Sequence, residues 1–176
     1  MAKYLLAVIY VGLVVVANVM TTHLGLLAAG FGLMVTAGTF AAGLVIAVRN
    51  PLQETGGRLW VVGCIVAGAA ASLLLGTGRI GLASGATFLV AELLDMTVYT
   101  WLRRHGWKRA AVAGITVGAV ADTLLFLSLA GFGLAWPIVA GQLLVKAVYA
   151  TVLGLPLVKV VLGRAVPVQR VQSEHS

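Results

Sequence analysis

Apolar residues run through this chain in long, nearly unbroken stretches separated by short polar breaks. Six stretches stand out, at about 4–21, 30–48, 59–75, 80–102, 110–131 and 138–158. Each is close to the roughly 20 apolar residues that a helix needs to cross the hydrocarbon core of a bilayer. The pattern predicts an all-α integral membrane protein with six transmembrane helices in one bundle. Between the first two runs, 22–29 is a short uncharged link. Residues 49–58 carry Pro51, paired glycines and the charges of Arg49, Glu54 and Arg58, and read as an aqueous loop. Residues 76–79 make a turn, 103–109 a second charged loop, and 132–137 a tight turn. From Lys159 the chain is polar and basic. The expected division is a transmembrane domain over 1–158 and a cytoplasmic tail over 159–176. No internal repeat emerges, since Thr39-Phe40 and Thr87-Phe88 share too little with their surroundings.

Composition narrows the class further. Hydrophobic residues make up 61% of the chain and charged residues 10%, against about 25% charged in a soluble domain. A water-soluble domain and a disordered chain are excluded. A secreted disulfide scaffold is excluded too, because Cys64 is the only cysteine. Lys3 and the first apolar run imitate a signal peptide, but Val16-Ala17-Asn18 is a poor cleavage site, so the run is expected to stay as the first helix.

The net charge of +7 does not indicate nucleic acid, because the basic residues sit between apolar runs and form no single face. With the N-terminus inside, Lys3, Arg49, Arg58, Arg103, Arg104, Lys108, Arg109, Lys159, Arg164 and Arg170 fall in the cytoplasm and only Arg79 outside. That asymmetry obeys the positive-inside rule and predicts that both termini are cytoplasmic. Trp60, Trp101, Trp107 and Trp136 lie near run ends, where interfacial tryptophans collect.

Four charges lie inside apolar runs: Glu92, Asp95, Asp122 and Lys146. Each costs about 2.5–3.5 kcal/mol at a helix centre on the insertion scale. They must face one another or a watery cavity. Glu92 and Asp95 are three apart and share a helical face. Phe88, Gly85, Ser84 and Gly81 extend that face one way and Tyr99 the other, while Leu82, Val90, Leu93 and Leu94 lie opposite. Gly114 and Gly118 precede Asp122 by two turns and one. Gln142, Lys146 and Tyr149 share a face, as do Asn18 and Thr22, and Thr36, Thr39 and Gly43.

Lys146 is expected to pair with Asp122. Three acids then exceed one intramembrane lysine, and Arg79 helps only by reaching inward from its helix end. Glu92 and Asp95 are therefore read as a ligand or proton site, with structural pairing as the alternative. Gly81–Gly85 and Gly114–Gly118 suit close helix packing. Asn18 and Gln142 serve either interhelical hydrogen bonds or a ligand. Phe88 and Phe126 suit packing, with stacking on a ligand as the alternative. His23, His105 and His175 make no metal-ligand spacing with Cys64 or the acids. The sequence has no GxSxG, P-loop or HExxH motif. Neither an enzyme nor a bound cofactor is expected.

The fourth to sixth runs carry a recognisable pattern. It comprises Arg79-Ile80, Ala83-Ser84, Phe88-Leu89-Val90, Glu92, Asp95, Val98-Tyr99 and Arg103, then Gly118, Asp122-Thr123 and Phe126, then Lys146 and Pro156. This resembles the VUT family of bacterial queuosine-precursor transporters, which import 7-cyano-7-deazaguanine and related 7-deazapurines. Asn18 and Gly38-Thr39-Phe40 resemble that family's first two helices. One departure stands out: family members often carry an Asp, then a Glu four residues on, where this chain has Asn50 and Glu54. The resemblance implies six helices around a substrate-binding core in the cytoplasmic membrane, holding a small deazapurine. It also implies either autonomous transport, as a monomer or homo-oligomer, or work with an ATP-driven energy-coupling module. A non-transporting structural protein is the rival class.

On that resemblance, Glu92, Asp95 and Asp122 are acceptors for the N–H edge of a guanine-like ring, and Lys146 and Gln142 meet its carbonyl oxygen or ring nitrogens. Asn18, Ser84 and Arg79 complete the candidate polar set. Phe88, Tyr99, Phe126 or Trp136 would supply an aromatic surface.

Overall fold

A computed structural model of the chain describes residues 1–165. Its helices are α1 (Ala2–Leu24), α2 (Thr39–Gly56), α3 (Arg58–Leu75), α4 (Gly78–Leu102), α5 (Trp107–Ala130), α6 (Trp136–Tyr149) and α7 (Leu155–Ala165). A π-helical turn, Ala150–Gly154, joins α6 to α7, so these two make one long rod. The described residues thus form a bundle of six helical rods. Five stretches are each long and apolar enough to cross a membrane: α1, α3, α4 with the short 3-10 turn after it, α5, and the α6–α7 rod. The sixth rod, α2, is more polar and packs among them against α1, α3, α6 and α7.

Leucines and valines such as Leu5, Val8, Leu74, Leu82, Val112 and Leu144 face outward. That arrangement suits lipid, in which every backbone polar group must be satisfied inside its own helix. Small residues bring α4 and α5 together along most of their length. A side chain at Gly114 or Gly118 would collide with Asp95. Two apolar clusters flank the polar centre. One joins α1 to α4 through Tyr10, Val14, Val48, Val61, Ile65 and Phe88. The other joins α2, α4, α5 and the π turn through Ile46, Tyr99, Ile115 and Ala150.

Two expectations are overturned. The run 30–48 is not one helix. The link and the start of that run fold instead as an antiparallel hairpin, β1 (Leu26–Gly30) with β2 (Leu33–Thr36). Gly30, Phe31 and Gly32 all have positive φ at its tip, which glycine tolerates and which turns the chain back on itself. The end of β2 is buried, with the backbone at Met34 lying directly against Gly141 of α6.

The second correction concerns 49–58, expected as an aqueous loop. α2 continues to Gly56, and Val45 through Gln53 are buried without interruption. Pro51 costs the helix one N–H donor but does not end it. The polar side chains here point into the bundle, where partners on α4 receive them. At the other end of the chain the last helix continues past Lys159 to Ala165. The remainder of the expected tail, with Arg170 and His175, lies outside the described residues.

Candidate functional site

The face predicted on α4 is buried as expected: Gly81, Gly85, Phe88, Glu92, Asp95 and Tyr99 are all buried, and Leu82, Val90 and Leu94 are exposed opposite them. One cavity lies against this face. Val14, Ala17, Asn18 and Thr21 of α1 line it, with Thr36 and Gly38 from the hairpin's exit. Thr39, Ala42, Val45 and Ile46 of α2 continue the wall. So do Ile80, Ser84, Phe88, Ala91, Glu92 and Asp95 of α4, Gly118, Asp122 and Phe126 of α5, and Gln142 and Lys146 of α6.

Most of the predicted site residues therefore meet. Glu92, Asp95, Asp122, Lys146, Gln142, Asn18, Ser84, Phe88 and Phe126 share one cavity. Arg79, Tyr99 and Trp136 do not join them. Arg79 is exposed, and its Nε donates to the Leu129 carbonyl at 2.6 Å near the end of α5, which suits a cation at a helix C-terminus. Tyr99 lies deeper, and its hydroxyl donates to Glu54 Oε1. Trp136 is exposed at the start of α6.

The Lys146–Asp122 pair forms as expected, with Nζ 2.6 Å from Oδ2. Lys146 also donates to Thr123 Oγ1 at 2.8 Å and Gln142 Oε1 at 3.3 Å. All three ammonium donors thus have partners. The Asp122 side chain is 27% exposed, which sets it at the cavity rim. Gln142 Nε2 in turn donates to Thr36 Oγ1 at 3.3 Å, and the Thr36 and Thr39 hydroxyls are 2.9 Å apart. This chain of bonds ties α5, α6, the hairpin and α2 together.

The residue that the sequence reading missed is Arg49. It is fully buried and lies between the acids of α4. Its Nε is 3.7 Å from Glu92 Oε2, and one terminal nitrogen is 3.3 Å from Asp95 Oδ1. Its guanidinium lies 5.6 Å from the centre of the Tyr99 ring and donates to Asn50 Oδ1. Tyr10 also donates to Glu92 Oε2, at 2.8 Å. The excess of acid over Lys146 thus has a second buried cation against it. That excess was itself the available signal: Arg49 ends the second apolar run and is the nearest unassigned base.

Several buried polar atoms keep capacity to spare. Asn18 Nδ2 donates to the Val14 carbonyl and Ser72 Oγ, both at 2.9 Å, but its Oδ1 accepts nothing. Asp95 Oδ1 accepts no well-aligned hydrogen bond, its partner being the Arg49 guanidinium at 3.3 Å. A buried acceptor without a donor costs about 1–3 kcal/mol. Both residues line the cavity, Asn18 from α1 and Asp95 from α4.

A multi-pass membrane bundle enclosing a charged, partly aromatic cavity is the class that fold and geometry define. Residues 5–161 match the model of the family described as "Putative vitamin uptake transporter", and the chain belongs to that transporter family. It is also 40% identical over 63 residues to a Haemophilus influenzae protein named "Probable queuosine precursor transporter". That match covers 35% of this chain and spans 27% of the relative's length. No solved structure matches the chain.

Proposed function

We propose that this protein imports a 7-deazaguanine base, such as 7-cyano-7-deazaguanine, across the bacterial cytoplasmic membrane. The observation that carries this reading is the single cavity that gathers Asn18, Glu92, Asp95, Asp122, Gln142 and Lys146 around one space. A guanine-like edge presents two adjacent N–H donors, the ring N–H and the amino group. A carboxylate accepts both, and the bonds are charge-assisted. Lys146 and Gln142 stand on a different helix and would reach the carbonyl oxygen and ring nitrogens by exchanging bonds they now make to Thr123 and Thr36. Phe88 and Phe126 offer ring faces within the same cavity. The partial likeness to a protein named for queuosine-precursor transport supports the same substrate class.

The reading includes an orientation. With Arg49 buried rather than in a loop, the asymmetry of loop cations still strongly favours cytoplasmic termini. The C-terminal end of the α6–α7 rod then lies on the cytoplasmic side. The role is transport, with no reaction performed on the substrate.

The test is uptake in bacterial cells that lack their own route to 7-deazaguanine and their own transporter. Expression of this chain should restore queuosine in tRNA when 7-cyano-7-deazaguanine is supplied at low concentration. Expression at normal levels in the membrane without restoration would reject the reading.

A further inference from the structure

The cavity occupies only one half of the bundle. Its lining comes from the C-terminal half of α1, the N-terminal half of α2, the N-terminal two-thirds of α4 and the C-terminal half of α5. All of these lie toward the hairpin and Arg79. Toward Arg103 the space is filled by the second half of α2, buried from Val45 through Gln53.

That filled half is held to α4 in an unusual way. The backbones of α2 and α4 do not pack closely. Long polar side chains span the gap instead. Arg49 reaches Glu92 and Asp95. One turn on, Gln53 Nε2 donates to Thr100 Oγ1 at 3.0 Å. Next to it, Glu54 accepts from Arg103 Nε at 2.7 Å and from Tyr99. A dry apolar seam would have to expose hydrocarbon to water on opening. A polar seam can exchange its partners for water, at about 0.5–1.5 kcal/mol net for a neutral hydrogen bond and about 1.5–3 kcal/mol for one to a charged group.

Helix irregularities occur in α2 and in the α6–α7 rod packed against it. Pro51 removes the donor that the Ala47 carbonyl would receive four residues on. The π turn, Ala150–Gly154, packs here too, with Gly154 set against the backbone at Ala47. A proline and a π turn in contact are the places where helices bend.

We propose that Arg49 is the latch of an inner gate, and that the structure is the state open toward the hairpin end. Substrate leaves toward the Arg103 end when the second half of α2 swings away from α4 about Pro51 and the π turn. Arg49 then acts as a positioning residue: it touches the acids rather than lining the cavity, and it sets which end is open. A guest that takes the acceptors of Glu92 and Asp95 competes with the guanidinium for them, which couples arrival of substrate to release of the latch. This rests on the transport reading above.

The test uses no substrate, so it stands apart from the deazaguanine assay. Cys64 is replaced by Ala, and Ala91→Cys is placed in the cavity as reporter. Membrane-impermeant maleimide is applied to vesicles of each orientation. The parent should label from the hairpin side. Arg49→Gln should label at least tenfold faster than the parent from the Arg103 side, and Arg49→Lys should restore the parental pattern in part. Gln53→Ala removes a seam bond without stranding charge, and should raise labelling from the Arg103 side even where Arg49→Gln does not fold. In Gln53→Cys/Thr100→Cys, a short thiol-to-thiol cross-link should hold labelling from the Arg103 side at the parental rate until it is reduced. Labelling from the Arg103 side that is no faster in Gln53→Ala and in any folded Arg49 variant than in the parent would overturn the proposal.

Discussion

At the scale of single residues, the intramembrane charges divide into two groups with different work. Glu92 and Asp95 meet a guanidinium that has other partners in Asn50 and the Tyr99 ring. Lys146 has every donor occupied. Glu92→Gln keeps the side chain's size and an oxygen for Tyr10, but loses the charge and replaces an acceptor with a donor. Titration calorimetry in detergent should show 7-cyano-7-deazaguanine binding weakened by about 1.5–3 kcal/mol, the range for hydrogen bonds to a charged group. Binding equal to the parent's would remove Glu92 from recognition.

Lys146→Met strands Asp122 instead. Breaking a buried pair costs about 3–5 kcal/mol, and the partial exposure of Asp122 places this case at the low end. The melting temperature should fall. Asp122→Asn combined with Lys146→Met should recover most of that loss while binding stays weak. A single variant as stable as the parent would instead assign Lys146 to the ligand. Of these residues the sequence showed every acid and the lysine, because a charge within an apolar run is conspicuous. Arg49 was not conspicuous. It stands at the end of its run beside Asn50 and Pro51, where composition imitates a loop.

At the scale of elements, α4 and α5 were the most legible. Glycines four apart and a single polar face leave little freedom in how two helices meet. Asp95 is seated by Gly114 and Gly118. Gly118→Val would press on the Asp95 side chain and the Ala91 carbonyl. Overpacking of this kind costs about 1–3 kcal/mol, and thermal unfolding should show a destabilisation of that size. An unchanged melting temperature would mean the helices separate there without cost. α2 and the hairpin were the least legible, for opposite reasons. α2 is polar in its second half because it faces polar partners inside the bundle, and a hydropathy pattern cannot distinguish an inward polar face from a solvated loop. The hairpin is apolar enough to pass for helix, and only its Gly-Phe-Gly tip hinted otherwise.

At the scale of the whole molecule, the rods were countable because lipid requires each spanning helix to be long and apolar. The proposed orientation of the bundle rests on the cations at its ends. A phosphatase reporter fused after Ser176 should be inactive, and a cytosolic reporter active, if both termini lie inside; the reverse pattern would invert the orientation and the direction of the proposed gate. The cavity's contents were legible only as chemistry, from acceptors on one helix and donors on another, and the transport claim rests on those groups acting on one guest. The most direct measurement is uptake of radiolabelled 7-cyano-7-deazaguanine into liposomes containing only this purified protein. The account predicts saturable uptake well above protein-free liposomes, competed by unlabelled 7-deazaguanines and reduced at least tenfold by Glu92→Gln. Folded, reconstituted protein that gives no uptake above protein-free liposomes, or uptake that Glu92→Gln leaves unchanged, would contradict it.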